Sequence, residues 1–175
     1  MPHTPFLHIE KTVNGQEGQL FAWMPNEAGV IEQVNLFHCK DIVANMNINM
    51  TSLRVLGYLG EQEKPTGWKG TGSLTLYYGT HHWTRLLEYY KTTGILPPLT
   101  VLMINDDPNV TDRFGNVVRQ QLQLRGVMIG GGLLGALNVN SQVLESPFPF
   151  SFRDFHYIES YAAAWYRDMD FVAGT

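Results

Sequence analysis

Residues 44–50 read Ala44-Asn45-Met46-Asn47-Ile48-Asn49-Met50. Apolar and amide side chains alternate with a period of two, which puts one set on each face of a β-strand and does not fit the 3.6-residue period of a helix. Asn is a poor strand former, so three in a row on one face call for a reason beyond strand propensity. The same period returns downstream in Gly67-Trp68-Lys69-Gly70-Thr71-Gly72-Ser73-Leu74-Thr75-Leu76-Tyr77. There Thr71, Ser73 and Thr75 share one face, and Gly72, Leu74 and Leu76 share the other. Glycines within a strand allow a bulge or the close approach of another group.

Between these stretches lies Leu53-Arg54-Val55-Leu56-Gly57-Tyr58-Leu59-Gly60, followed by the charged connector Glu61-Gln62-Glu63-Lys64-Pro65. This reads as a projecting loop or hairpin, and its apolar residues require a partner. Upstream, residues 19–24 form a short strand, Pro25-Asn26-Glu27-Ala28-Gly29 a turn, and residues 30–37 a second strand. Downstream, Thr80 can cap a helix that Gly94 can end, with Trp83, Leu86, Leu87 and Tyr90 at i, i+3, i+4 and i+7 as its core face.

Pro97-Pro98 blocks further helix, residues 99–104 resume as a buried strand, and Asn105-Asp106-Asp107-Pro108 opens a loop that runs to Asn116. Residues 117–128 alternate again, with Arg119, Gln121, Gln123 and Arg125 opposite Val118, Leu122 and Leu124. Gly130-Gly131-Gly132 leads to residues 135–145, where Asn138, Asn140 and Gln142 oppose Leu137, Val139 and Val143. In Pro147-Phe148-Pro149-Phe150-Ser151-Phe152-Arg153-Asp154-Phe155 aromatics alternate with other residues, and the prolines confine the segment to an edge or to the start of a strand. The fold expected is mainly β with one flanking helix.

At 175 residues the chain is long enough for one domain with a continuous core. A single cysteine, Cys39, excludes an intrachain disulfide framework. A net charge of −4 without a basic cluster argues against a protein that binds a phosphate backbone. No segment has the ~18 apolar residues of a membrane span, and the amino terminus does not read as a secretory signal. Only 16% of residues are charged, below the roughly 25% of an average soluble domain. Eleven Asn, eight Gln and thirteen Thr take their place. Two readings fit: a low-charge monomer, or a surface largely covered in an assembly.

Catalytic signals are weak. The six histidines have no metal-ligand spacing, and in His38-Cys39-Lys40-Asp41 adjacent side chains on a strand point to opposite faces. His81-His82 reads as a solvated helix end rather than an anion site. Glu61 with Glu63, Asp106 with Asp107, and Asp168 with Asp170 read as solvated carboxylates. There is no nucleophile elbow and no phosphate loop. No enzyme activity, metal or cofactor is expected.

Four segments therefore share one unusual property, a face of small or uncharged polar side chains: Asn45, Asn47 and Asn49; Thr71, Ser73 and Thr75; Gln121 and Gln123 between Arg119 and Arg125; and Asn138, Asn140 and Gln142. Such a face is either an ordinary solvated one or the wall of an aqueous channel that must hydrate without trapping its cargo.

Over roughly residues 15–160 the sequence resembles the tail tube proteins of contractile-tailed phages and of phage-like particles such as PBSX. The residues that carry this are Asn14-Gly15-Gln16-Glu17-Gly18, the 66–77 segment, the 83–90 helix and the 147–155 segment, in that order and spacing. The resemblance implies a tail-tube β-sandwich or barrel with one flanking helix, joined as hexameric rings stacked into a tube. The four polar-faced segments would form an inner sheet lining the channel, and residues 53–60 would reach a neighbouring subunit or the next ring. It further implies a non-catalytic virion protein, assembled in the host cytoplasm. Implied partners are the tail sheath, a tape measure protein in the lumen, and baseplate and terminator proteins; DNA is transit cargo and no membrane is involved. Residues 1–14 would be an amino-terminal arm and 161–175 a carboxy-terminal extension. A bacteriocin or injection-particle tube, or a small-molecule-binding β-barrel, are the other readings.

Overall fold

The computed structural model describes residues 15–16, 18–26, 28–36, 39–57, 59–77, 82–111, 114–137, 140 and 144–160. Its largest feature is the pairing of β3 (Cys39–Arg54) with β4 (Glu61–Tyr77), a long antiparallel ribbon running from Cys39↔Leu76 to Arg54↔Glu61. The Asn-alternating stretch lies in the middle of β3. The register shifts twice, between Cys39 and Asp41, where Lys40 is the extra residue, and between Asn49 and Met50, where Thr66 is the extra residue of a bulge. Expected as a connector, residues 61–65 are instead the start of β4, and the turn is confined to residues 55–60. Across this ribbon Lys64 faces Thr51 and Glu61 faces Arg54, so the charges sit on an extended, solvated edge rather than in a loop.

The other strands are β1 (Gly18–Pro25), β2 (Ile31–Asn35), β5 (Leu99–Asn105), β6 (Gln120–Ile129), β7 (Glu145–Phe152) and β8 (Asp154–Glu159). Their order is β2-β1-β5-β6-β7-β4-β3, every neighbouring pair is antiparallel, and β8 pairs with β6 beside this path. β6 belongs to both halves of the sheet. Its first part pairs with β5 and β8, and only Met128 and Ile129 reach β7. Gly126, at φ +62°, provides the bend between the two parts.

The core lies between the halves and is built from the inward residues of each strand: Leu20, Ala22 and Met24; Leu74 and Leu76; Leu99 and Val101; Leu124, Val127 and Ile129; Phe148, Phe150 and Phe152. The glycines of β4 are there because of β7. A Cβ on Gly70 would overlap the Phe152 ring, and one on Gly72 would overlap both the Phe150 ring and the Val43 carbonyl oxygen. Since backbone cannot yield as a flexible side chain can, Gly72→Ala should cost about 1–3 kcal/mol by overpacking. Chemical denaturation checks this, and an unchanged midpoint would mean that both the Phe150 ring and the backbone at Val43 move aside.

β7 corrects the expectation of an edge strand, because it lies between β4 and β6. Its prolines are accommodated by direction. The Pro149 carbonyl oxygen accepts a bond of 2.7 Å from Gly130 N–H, so residue 149, and with it 147, turns its backbone toward the β6 side. On that side the ladder has only two paired positions. The bonds to β4 come from Ser146, Phe148, Phe150 and Phe152, which all have N–H groups.

Residues 130–137 are not a strand, and Asn140 sits in a turn. The strand expected over 135–145 is therefore absent at residues 135–137 and 140, Glu145 begins β7, and Asn138 and Gln142 lie outside the described residues. Gly132 explains the local path, since a Cβ there would overlap Phe148. At Gly132 the backbone passes over the Phe148 ring, and beyond it Leu134 and Leu137 are exposed.

The helix α1 (His82–Thr93) stands where the periodicity predicts, and the Gly94 N–H donates to the Tyr90 carbonyl at 2.7 Å with φ +72°. Thr80, the expected cap, lies outside the described residues. Trp83 and Leu86 are buried and Leu87 packs against the core, but Tyr90 is 51% exposed. Packing is concentrated at the start of the helix, where Trp83 meets Phe148 with ring centroids 6.0 Å apart. Every residue from 88 to 95 is exposed, so the second half of the helix passes beyond the core and Tyr90 goes with it.

Candidate assembly surface

The β3–β4 ribbon leaves the body of the protein. Gly70 is the last buried residue on β4, and residues 45–54 and 61–69 are exposed on both faces of the ribbon. One face continues the core side outward: Ile42 and Ala44 pack against the core, and Met46, Ile48 and Met50 follow at the same period but uncovered, with Ile48 53% exposed. Trp68 lies opposite Ile48 and is held by edge contact with Phe155 at 5.8 Å and by Phe152 at 6.2 Å. An apolar stripe of this kind on an isolated chain is the mark of a surface that another chain covers.

The opposite face carries the amides. Asn45 pairs with Thr71, Asn47 with Lys69 and Asn49 with Gly67, and Asn47 Nδ2 donates to Thr71 Oγ1 at 3.3 Å. Asn45, Asn47, Asn49, Thr71, Ser73 and Thr75 thus form one continuous polar surface. β7 extends it with Glu145, Pro147, Pro149 and Ser151, a contribution that the sequence reading missed. The signal was there in the period-two spacing of Phe148, Phe150 and Phe152, which forces the intervening residues outward.

Gln121, Gln123 and Arg125 lie on the outward side of β6, but opposite His156 and Asp154 of β8 and away from β3 and β4. Arg125 Nε donates to Gln123 Oε1 at 3.0 Å. Arg119 precedes β6 and pairs with Asp106 at 3.0 Å across the 105–118 loop. Among the described residues, the expected four-strand grouping is therefore brought together only in its first two members. Asp107, expected to be solvated, is buried. Its Oδ1 accepts from Asn109 N at 2.9 Å and Asn109 Nδ2 at 3.0 Å, which makes it an organiser of that loop.

At the far end of the ribbon, Arg54 Nε donates to Glu61 Oε1 at 2.7 Å. This exposed pair contributes little energy but closes the base of the turn. Beyond it Leu56 and Leu59 are fully exposed and Leu53 and Val55 half exposed; Tyr58 lies outside the described residues.

At the near end of the ribbon is a cleft of about 900 Å³, walled by Leu36, Cys39, Ile42, Tyr77, Met103 and Leu122. Lys40 at its edge donates to Glu145 at 2.7 Å, and this carboxylate holds the lysine pKa above its ordinary value. Burial, aided by Asp41, pushes the Cys39 thiol from 9.0 up to about 11. A group whose folded pKa is raised keeps its proton longer when folded, so its contribution to stability is lost as pH rises from 9 toward 11. At pH 8 the folded chain should react with a disulfide reagent about 100-fold more slowly than the unfolded chain. Equal rates would show that the thiol is not held in the cleft.

Among the described residues, no group of three His, Cys, Asp or Glu side chains is placed to hold a metal ion, and no helix is long and apolar enough to cross a membrane.

Residues 6–159 match the family described as phage tail tube protein. The chain belongs to this family. As a phage tail tube protein it is a structural and not a catalytic component. The phage-like element PBSX protein XkdM of Bacillus subtilis (strain 168) is 28% identical over 149 residues, spanning 85% of this chain and 92% of that protein. An uncharacterised protein of the same organism, YqbM, is 27% identical over the same shares of the two chains. Among solved structures, the tail tube of SPP1 is similar with a TM-score of 0.58 at 10% identity, covering 85% of this chain and 80% of that one. A chain of the PVC extracellular contractile injection system sheath-tube complex gives a TM-score of 0.60 at 6% identity, covering 87% and 95%. At such identities these structures speak for the fold of the tail tube protein alone.

Proposed function

We propose that this tail tube protein polymerises as stacked hexameric rings into the inner tube of a contractile tail, and that the tube is the conduit for DNA. The observation that carries this is the uncovered stripe Met46, Ile48, Met50 and Trp68, a core-type face extended beyond the body of a chain that belongs to a tube family. Continuation of the sheet from subunit to subunit would also cover β3, whose outer edge is unpaired along the strand order. In this reading the polar face of β3, β4 and β7 lines the lumen together with Gln121, Gln123 and Arg125. Sheath, baseplate, terminator and tape measure proteins are its partners in the virion. The tube of a contractile injection particle is the second reading, since the fold is shared with a chain of the PVC extracellular contractile injection system sheath-tube complex.

Negative-stain electron microscopy with light scattering of the concentrated protein tests the proposal. Rings or hollow tubes with a stained channel are expected; a strict monomer at all concentrations, even with baseplate present, would reject it. Lumen placement has its own test. In assembled tubes, Asn47→Cys and Gln123→Cys should react with small thiol reagents and resist bulky ones, and equal reaction with both reagents would exclude it.

A further inference from the structure

Two of the four side chains on the uncovered stripe are thioethers. Met46 and Met50 lie on one face of β3, on either side of Ile48, and are 43% and 53% exposed. The other described methionines are shielded. Met24 is buried, Met103 packs against the core, and Met128 is half-buried with its Sδ accepting from Arg153 Nη2 at 3.7 Å. We propose that Met46 and Met50 are a modification site of the free chain, oxidised by peroxide to sulfoxides that block assembly until they are reduced. This rests on the assembly reading above, in which another chain covers the stripe.

The reaction is a two-electron oxidation of sulfur. A sulfur lone pair attacks one oxygen of hydrogen peroxide, the O–O bond breaks as the S–O bond forms, and the transferred oxygen passes its proton to the leaving oxygen, which departs as water. The product is a polar side chain in place of a flexible apolar one. On the ribbon its new acceptor has no donor facing it. Directly opposite Met46 is Gly70, without a side chain, and directly opposite Met50 is Pro65, without an N–H. A neighbour that covers the stripe as a core-type face therefore buries each sulfoxide oxygen unpaired, which weakens association roughly 10 to 100-fold per sulfoxide. The fold itself is spared, because neither methionine belongs to the core cluster. Once the stripe is covered the same two sulfurs are out of reach, so oxidation discriminates free chains from assembled ones.

Peroxide treatment with peptide mass mapping tests the proposal. Hydrogen peroxide is added to free chains and to assembled tubes and removed with catalase, sulfoxides are located, and assembly is followed by light scattering and electron microscopy. Free chains should gain oxygen at Met46 and Met50, keep their thermal midpoint and stop assembling, while tubes should gain it at those positions at least 10-fold more slowly. A Met46→Leu, Met50→Leu chain keeps Cys39 and every other methionine, and it should assemble with or without peroxide. Methionine sulfoxide reductase needs no substitution and should restore assembly to the oxidised chain. Normal assembly of a chain oxidised at both positions overturns the proposal while leaving the tube reading intact. So do equal oxidation of tubes and free chains, loss of assembly by the peroxide-treated leucine chain, and a reduced chain that stays unassembled. Failure of the untreated chain to assemble under any condition overturns the assembly reading and the proposal together.

Discussion

Replacing residues 55–60 with Asn-Gly should leave a folded chain that no longer polymerises. The replacement keeps the Arg54↔Glu61 pair, and Asn-Gly supplies the two-residue turn that suits a twisted antiparallel ribbon. None of the residues removed is part of the core cluster. Thermal stability should change by less than about 1 kcal/mol, a shift of no more than about 2–4 °C for a chain of this size. Assembly should be affected far more. Burying Leu56 and Leu59 against a neighbour stabilises each contact by about 1.5–3 kcal/mol per side chain, so their loss weakens association by roughly 10² to 10⁴-fold per contact. Scanning calorimetry and electron microscopy of one preparation read both quantities. Normal tubes from the shortened chain would remove the turn from the interface, and a large loss of thermal stability would mean that it belongs to the fold.

Phe148→Ala should be the most damaging single substitution in the core. The ring lies between the helix and the sheet: it packs on Trp83, faces Leu74 across the β4 ladder, and occupies the space that a side chain at residue 132 would need. Truncation removes the link that fixes the helix and the 130–137 segment together. The expected loss is about 3–5 kcal/mol, equivalent to roughly 6–20 °C in thermal midpoint. Urea unfolding measures it. A loss below about 1 kcal/mol would show that the helix is held by other contacts.

Much of this architecture was legible in one dimension because it depends on period alone. The alternation of residues 44–50 and 67–77 located the two ribbon strands, and the spacing of Trp83, Leu86 and Leu87 with Gly94 located the helix. What period could not supply was where each element stops being covered. Met46, Ile48 and Met50 have the same pattern as Ile42 and Ala44, yet only the latter pair packs against the core. Tyr90 has the same helical phase as Trp83 and differs only in lying past the end of the core.

The neighbours of each strand were also hidden. Residues 135–145 alternate as well as any strand in the chain, but residues 135–137 pair with no strand, and Leu137 is fully exposed. β7 was expected at an edge on account of Pro147 and Pro149, and it is internal because both prolines turn toward the side on which the ladder is two positions long.

The sequence by itself determined the positions of the ribbon strands and of the helix, the two-faced character of the ribbon and membership of the tail tube family, since these follow from residue order and spacing. Tertiary structure decided which apolar faces are buried and which are left for other chains, and which polar segments lie side by side. Those properties depend on packing between residues as distant as Gly72 and Phe150, where the absence of one Cβ makes room for a ring 78 positions away.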